Sequence, residues 1–421
     1  MELLTLGMKV FKFGGASVKD ADSVRNLGKI LNSFSDEKLI VIISAMGKMT
    51  NRFEWLINSY CYNKSKVKES LNDIVDYHNT ILWNLFPDKS HKVYVEVNEL
   101  LFQIEELLAK DYSQYYDETY DSIVGYGELI STTIVSNYLD SQGINNQWID
   151  ARKVIKTNSD YRQAKVNWEE TQSNIQELNS SLIISQGFIG SNQSNEMTTL
   201  GREGSDFSAS IFGYCCNAES VTIWKDVDGV LNADPKHYSD AVKIDKMSYR
   251  EAIELSYYGA TVIHPKTLKP LENKLIPLYV KSFLNPVNEG TVIQKSESHD
   301  ALLPSYIFIE DQILVSISPK DFSFIAEENL SFIFAKLAEN KIKVNLTQNS
   351  ALSFSVCFKN EEKKVEKLFA TLKNSFEVKY NDKVTILTIR HYTEEIVEKM
   401  TVGRTVFIEQ KSRNSARFVI R

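Results

Sequence analysis

Cysteine is scarce in this 421-residue chain, and its scarcity excludes whole classes of protein. The four cysteines, Cys61, Cys215, Cys216 and Cys357, follow neither a CxxC spacing nor a disulfide framework. Six scattered histidines complete no metal signature. A reducing, cytoplasmic setting is therefore expected. Long apolar runs are missing too, since none approaches the roughly 20 residues that span a bilayer. The opening "MELLTLG" lacks the basic start and apolar core of a signal peptide, and reads as an extension ahead of a strand starting at Met8. Nor is there an excess of positive charge. A formal net charge of −7 leaves no electrostatic footprint for nucleic acid or for an anionic membrane. No GxxxxGK[ST] loop and no protein-kinase signature occurs.

What is present is the make-up of a globular protein, with 43% hydrophobic and 24% charged residues. The length predicts two or three domains. "MKVFKF" alternates into Gly14 and Gly15, Val24, Leu27, Leu31 and Phe34 recur at helical spacing, and "LIVIIS" is a continuous apolar run. This is a β-α-β unit with a buried parallel sheet. Residues 51–120 read as mostly helical. "SLIISQGFIG" and "SVTIWKDVDGV" read as further strands, the second closed by Asp228-Gly229. "ELSYYGATVIHPKTLKP" predicts a helix stopped by Gly259, a short buried strand, and a cap at His264-Pro265. After residue 296, "SESHDALLP" forms a polar joint. Beyond it come "ILVSISP", "NLSFIFAKLAEN", "IKVNLTQ", "ALSFSVCF", "KKVEKLFATL" and "EVKYN", a β-α-β-β-α-β order typical of a ferredoxin-like domain. A partial second round follows in "KVTILTIRHY", a helix from Thr393, "TVFIEQKS" and "ARFVIR".

Several short motifs could carry chemistry. In "FKFGGAS", Gly14 and Gly15 let backbone N–H groups approach phosphate oxygens, and Lys12 adds a point charge. A tight turn with a surface lysine is the plain alternative. "SAMGKMTN" puts Gly and hydroxyl residues at a strand's C-terminal end, where open α/β sheets bind ligands. In "GYGELIST", Glu128 stands at a predicted helix start, either as an acid favoured by the helix dipole or as the partner of a substrate ammonium. In "TTLGREGSDFSAS", Arg202 can fork onto a carboxylate, while Gly204 and Ser205 open a helix whose amides face an anion. Asp206 is out of place beside phosphates unless it orients a lysine or Mg²⁺. "WKDVDGVLNADPK" is either a polar loop or a ligand loop, and His264 by itself is more often structural than catalytic.

In this order and spacing, KFGGAS, SAMGKMTN, GYGELIST, TTLGREGSD, WKDVDGVLNADP, YGATVIHPKT and LTIRHYTEEIVEKM resemble the aspartate kinases of the amino-acid kinase family, nearly throughout the chain from Met8. The resemblance implies a three-layer α/β kinase fold with a largely parallel central sheet, followed by C-terminal ferredoxin-like (ACT) α+β units. The implied boundaries are a catalytic domain over 8–296, an ACT domain over 305–383 and a partial second ACT unit over 384–421. The implied reaction moves the ATP γ-phosphoryl group to the side-chain carboxylate of L-aspartate, giving 4-phospho-L-aspartate on the route to lysine, threonine and methionine. It further implies Lys12 and Asp206 as catalytic residues, and Ser44, Ala45, Thr50, Glu128, Arg202 and Ser205 around aspartate. Lys12, Gly14, Gly15, Gly204, Lys225, Asp226 and Asp234 would hold the nucleotide. ATP with phosphate-bound Mg²⁺, an amino-acid effector at the ACT units, and a homodimer or higher homo-oligomer complete the expectation.

The chain departs from the family pattern in places. Ala16 stands where the family usually has Thr, Glu203 replaces the second glycine of GRGGSD, and Thr261 replaces the lysine of GAKVLHP. Lys225, at a position where Thr is common, or Lys266 could restore that last charge. Asn345 and Ala351 occupy positions where lysine-inhibited members carry acids. Two other readings stay open: another amino-acid kinase, or a decayed amino-acid sensor. HPKT followed by LTIRHYT speaks against the first; intact Lys12, Glu128, Arg202 and Asp206 speak against the second.

Overall fold

The computed structural model describes residues 7–110, 115–260, 263–301, 303–321 and 323–421. The chain divides into two compact units: Met1–Val230 with Lys243–Ile253 and Ile263–Glu297, and Leu231–Val242 with Glu254–Val262 and Ser298–Arg421.

The first unit is built on an eight-stranded sheet. From edge to edge its order is Lys246–Ser248, Thr291–Gln294, Leu278–Ser282, Ser220–Lys225, Met8–Phe13, Lys38–Ile43, Leu182–Gln186 and Gln147–Ile149. All neighbours are parallel except Leu278–Ser282 with Thr291–Gln294. The central strand Lys38–Ile43 is apolar without alternation because layers pack on both its faces, and Leu39 to Ile43 are all buried. Helix Ala21–Asn32 follows the first strand as the β-α-β pattern requires, with the Asp20 carboxylate capping it by accepting the Ser23 amide at 2.8 Å. Helix Tyr126–Ser141 is buried on every side, with fourteen consecutive residues inside the core. The helical stretch expected over 51–120 appears as Met49–Tyr62, Val67–Leu85, Lys92–Ala109 and Tyr116–Val124.

Register decides where the site lies. Phe13 pairs with Ile43 and with Trp224, and Ile43 with Gln186. Four central strands therefore end at one rim, and the Gly14–Ser17 turn, the Ser44–Thr50 segment, Gly187 and the Lys225–Asp226 corner all leave from it.

Of the short strand expected in "ATVIH", Thr261 and Val262 lie outside the described residues, and Ile263 and His264 are not in a strand. His264 does cap helix Pro265–Lys274, its ring accepting the Lys266 amide at 3.1 Å.

The second unit carries a six-stranded sheet in the order Val344–Asn349, Phe354–Lys359, Ser305–Pro319, Phe376–Arg390, Ser415–Ile420, Val406–Lys411, antiparallel throughout. With helices Glu327–Glu339 and Glu362–Leu372, the β-α-β-β-α-β order is present. Strand Phe376–Arg390 continues across residues 383 and 384, so one sheet serves both expected ACT units. None of the four cysteines forms a disulfide, and burial pushes the Cys215, Cys216 and Cys357 thiols up to about 12. No helix among the described residues is long and apolar enough to cross a membrane.

Candidate active site

At the rim of the parallel sheet a cavity of about 1170 Å³ opens within the first unit. Every site residue named from the sequence lines it except Asp234. Asp234 belongs to the second unit, where its carboxylate accepts the Lys236 amide at 2.9 Å and caps a local turn.

Lys12 reaches the cavity from the first strand, whose Phe11 and Phe13 are buried in the core. Its ammonium stands 2.7 Å from Asp206 Oδ1, with the two side chains only 12% and 7% exposed. The contact is an ion pair rather than an aligned hydrogen bond, for that oxygen has no hydrogen-bond partner. Asp206 lies in the first turn of helix Gly204–Cys215, so a carboxylate that looked out of place holds a lysine at a helix N-terminus. The turn after Lys12 must be glycine at position 15: a Cβ there would collide with the Gly47 carbonyl and stand 2.8 Å from that of Ala45.

Glu128 is the second charged centre. It is 2% exposed; its Oε1 accepts the Ala45 amide at 3.3 Å, and its Oε2 is buried with no hydrogen-bond partner. Burial pushes its pKa up to about 8, against the opposing pull of the Ala45 amide and the Lys12 charge. Arg202 is exposed on the loop that enters the Gly204 helix. Glu203 explains why its position favours glycine: φ is 54°, in the left-handed region. Its carboxylate compensates by accepting the His264 amide at 3.1 Å.

Of the two lysines considered as substitutes for the family lysine, Lys225 lines the cavity. Lys266 instead donates to the Leu200 carbonyl at 2.9 Å and lies over the Phe207 ring at 4.8 Å. Thr261 itself lies outside the described residues.

Sequence motifs missed part of the wall. Ser17 lines the cavity with a buried hydroxyl that has no hydrogen-bond partner. Tyr120, Glu54, Arg162 and Thr199 line it as well. The Tyr120 hydroxyl donates to Glu54 at 2.9 Å, and the Arg162 guanidinium lies 4.3 Å from the Tyr120 ring centre. Tyr120 and Glu54 are embedded in a stretch that the sequence marks only as mostly helical, and no local pattern marks Arg162. Among the described residues no group of three or more His, Cys, Asp or Glu could hold a metal ion.

A model of the amino acid kinase family matches residues 7–282. The chain belongs to the amino acid kinase family. Its relatives there include the lysine-sensitive aspartokinase 3 of Escherichia coli (strain K12), 31% identical over 82% of this chain and 77% of that one. Another is the chloroplastic bifunctional aspartokinase/homoserine dehydrogenase 1 of Zea mays, 29% identical over 87% of this chain. The chain spans only 41% of that relative's length. Among solved structures, E. coli aspartokinase III in complex with lysine and aspartate superposes with a TM-score of 0.83 at 26% identity, covering 98% of this chain and 95% of that one. The same enzyme in complex with aspartate and ADP gives a TM-score of 0.79, also at 26% identity, covering 98% of this chain and 96% of that one. The three-layer kinase fold and the ferredoxin-like second unit are those of the aspartokinases.

Proposed function

We propose that this protein is an aspartate kinase, transferring the γ-phosphoryl group of ATP to the side-chain carboxylate of L-aspartate to give 4-phospho-L-aspartate. One observation carries the reading. A buried carboxylate with an unpartnered oxygen, Glu128, shares a cavity with the Lys12–Asp206 pair and the Arg202 loop. Such a site suits a small molecule bearing an ammonium and carboxylates together with a polyphosphate. The complex of the E. coli relative with aspartate and ADP supports the same pair of ligands.

In this reading Glu128 takes the substrate ammonium and Arg202 the α-carboxylate, with Ser44, Ala45, Thr50 and Ser205 closing around them. Gly14, Gly15 and Gly204 bring backbone amides to the phosphates, and Lys225 and Asp226 border the nucleotide. The acceptor carboxylate is ionised at neutral pH, so no general base is needed. The bond from the γ-phosphorus to the bridging oxygen breaks as that from the carboxylate oxygen forms, and ADP leaves with the bridging oxygen. The barrier lies in bringing two anions together, and Lys12, held by Asp206, neutralises the charge that builds between them. Mg²⁺ would come with the nucleotide phosphates and add further neutralisation. Asp206 and Asp226, two of the seven carboxylates that line the cavity, are the residues that would help to hold that cation. An amino-acid effector at the second unit, assembly as a homodimer or higher homo-oligomer, and a cytoplasmic setting that keeps four thiols reduced belong to the same proposal.

A coupled assay of ADP release tests it. Turnover should require L-aspartate, with L-glutamate and N-acetylglutamate inactive. Succinate lacks the amine that Glu128 would bind, and should lose far more than a methylene-sized factor in kcat/KM. Turnover with glutamate equal to that with aspartate would favour a different amino-acid kinase; no turnover with any acceptor would favour a sensor.

A further inference from the structure

We propose that Asp121 is a positioning residue that fixes the loop carrying Arg202, an inference that rests on the aspartate kinase reading. Asp121 lies on helix Tyr116–Val124, is 0% exposed and does not line the cavity. Its Oδ2 accepts the backbone amides of Arg162 at 2.9 Å and Thr199 at 2.8 Å, and its Oδ1 accepts the Thr199 hydroxyl at 2.7 Å. These partners are 41 and 78 residues away in sequence, and both line the cavity. Burial pushes the Asp121 pKa up, and the hydrogen bonds from the Arg162 amide and from the Thr199 hydroxyl and amide oppose that shift by favouring the ionised form. A buried carboxylate this costly persists where its donors are fixed by the fold.

What it holds is otherwise unfavourable. Arg162 sits at φ 65°, a left-handed backbone that non-glycine residues adopt only when their surroundings enforce it. The Arg162 carbonyl then packs against Gly201, where a Cβ would stand 2.9 Å from that oxygen. The Ala164 amide donates to the Thr199 carbonyl at 3.0 Å, tying the turn to the Met197–Thr199 strand a second time. Leu200 and Gly201 lead straight from this knot to Arg202. The Arg162 guanidinium is held less firmly, by the Tyr120 ring and an exposed pair with Asp117 at 3.3 Å. The backbone path, rather than the Arg162 side chain, is what Asp121 secures.

The test compares Asp121→Ala, Asp121→Asn and Thr199→Val with the full-length protein, by steady-state kinetics and amide hydrogen exchange. Asp121→Ala should raise KM for aspartate on the order of tenfold, with kcat and KM for ATP changing by no more than a few fold. Exchange should speed up at Arg162 and Thr199 while the Leu182–Gln186 strand keeps its protection. Asp121→Asn retains an acceptor oxygen and should fall between alanine and wild type. Thr199→Val removes only the 2.7 Å contact and should show a smaller rise in KM, which decides the matter if the alanine variant does not fold. An unchanged KM in folded Asp121→Ala, protection lost equally at Leu182–Gln186, or asparagine no better than alanine would each overturn the proposal. If the wild type does not phosphorylate aspartate, the kinase reading fails while the exchange pattern still decides the role of Asp121.

Discussion

The unpartnered oxygen of Glu128 links pH to both stability and binding. Its pKa in the ligand-free fold is about 8, against 4.5 for a free side chain, because burial disfavours the charged form. Between those values the folded chain binds a proton that the unfolded chain has released. Its contribution to stability is therefore full below about 4.5 and is lost as pH rises through about 8. The ligand-free melting temperature should accordingly fall as pH rises through that window, and Glu128→Gln should flatten the fall. Binding runs the other way. A substrate ammonium needs the ionised form, so KM for aspartate should decrease as pH approaches 8, and Glu128→Gln should raise KM roughly tenfold or more and remove that pH dependence. Lys12 makes a different kind of contribution, tied to charge that builds during transfer. Lys12→Ala should lower kcat by about 10²–10³ with a smaller change in KM, measured in the same ADP-release assay. Near-normal turnover would mean that Lys12 only neutralises Asp206.

At the scale of elements, the site depends on how closely two strand exits approach. The turn after Met8–Phe13 and the segment after Lys38–Ile43 meet backbone to backbone at Gly15, with the Gly47 amide donating to the Gly15 carbonyl at 2.9 Å. Gly15→Ala would drive a methyl group into the carbonyls of Gly47 and Ala45, which are backbone atoms and cannot swing aside. Separating the two segments should cost about 1–3 kcal/mol. Both Lys12 and Ala45, which supports Glu128, would shift with them. A melting temperature and kcat both close to wild type would show that the two exits can part without consequence.

For the whole molecule, regulation is the open chemistry. The second unit has no carboxylate at Asn345 or Ala351, and Asn345 is already engaged: its side-chain amide donates to the Gln312 side-chain oxygen at 2.8 Å, and its backbone carbonyl accepts from Arg417 at 2.8 Å. An amide supplies no net charge to a second ammonium, and burying that ammonium unpaired is costly. A ligand shifts an equilibrium only by its difference in affinity between states. Lysine should therefore inhibit weakly or not at all, and either threonine or no amino acid should be the effector, when each is titrated at subsaturating aspartate. Strong cooperative inhibition by micromolar lysine would overturn this and point to Glu327 or Glu328 in the first turn of helix Glu327–Glu339.

Patterns with short range were legible in the sequence. Alternation and apolar runs marked Met8–Phe13, Lys38–Ile43, Leu182–Gln186 and Ser220–Lys225, and the glycine-containing turns after them marked the rim that carries the candidate site. Asp206 stood out because an acid beside phosphates breaks the expectation for its setting, and Lys12, Glu128 and Arg202 stood out through the motifs around them. What had no local trace came from contacts between distant segments. Asp121 joins residues 41 and 78 positions away, Glu203 joins His264 across 61, and Lys266 turns to Leu200 across 66. Asp234, which the resemblance places on the nucleotide loop, caps a turn in the other unit. Propensity and periodicity act over a few residues and specify strands, helices and turns. Which buried donor meets which acceptor is set only when those elements pack, because a buried polar group must take its partner from whatever the fold brings beside it.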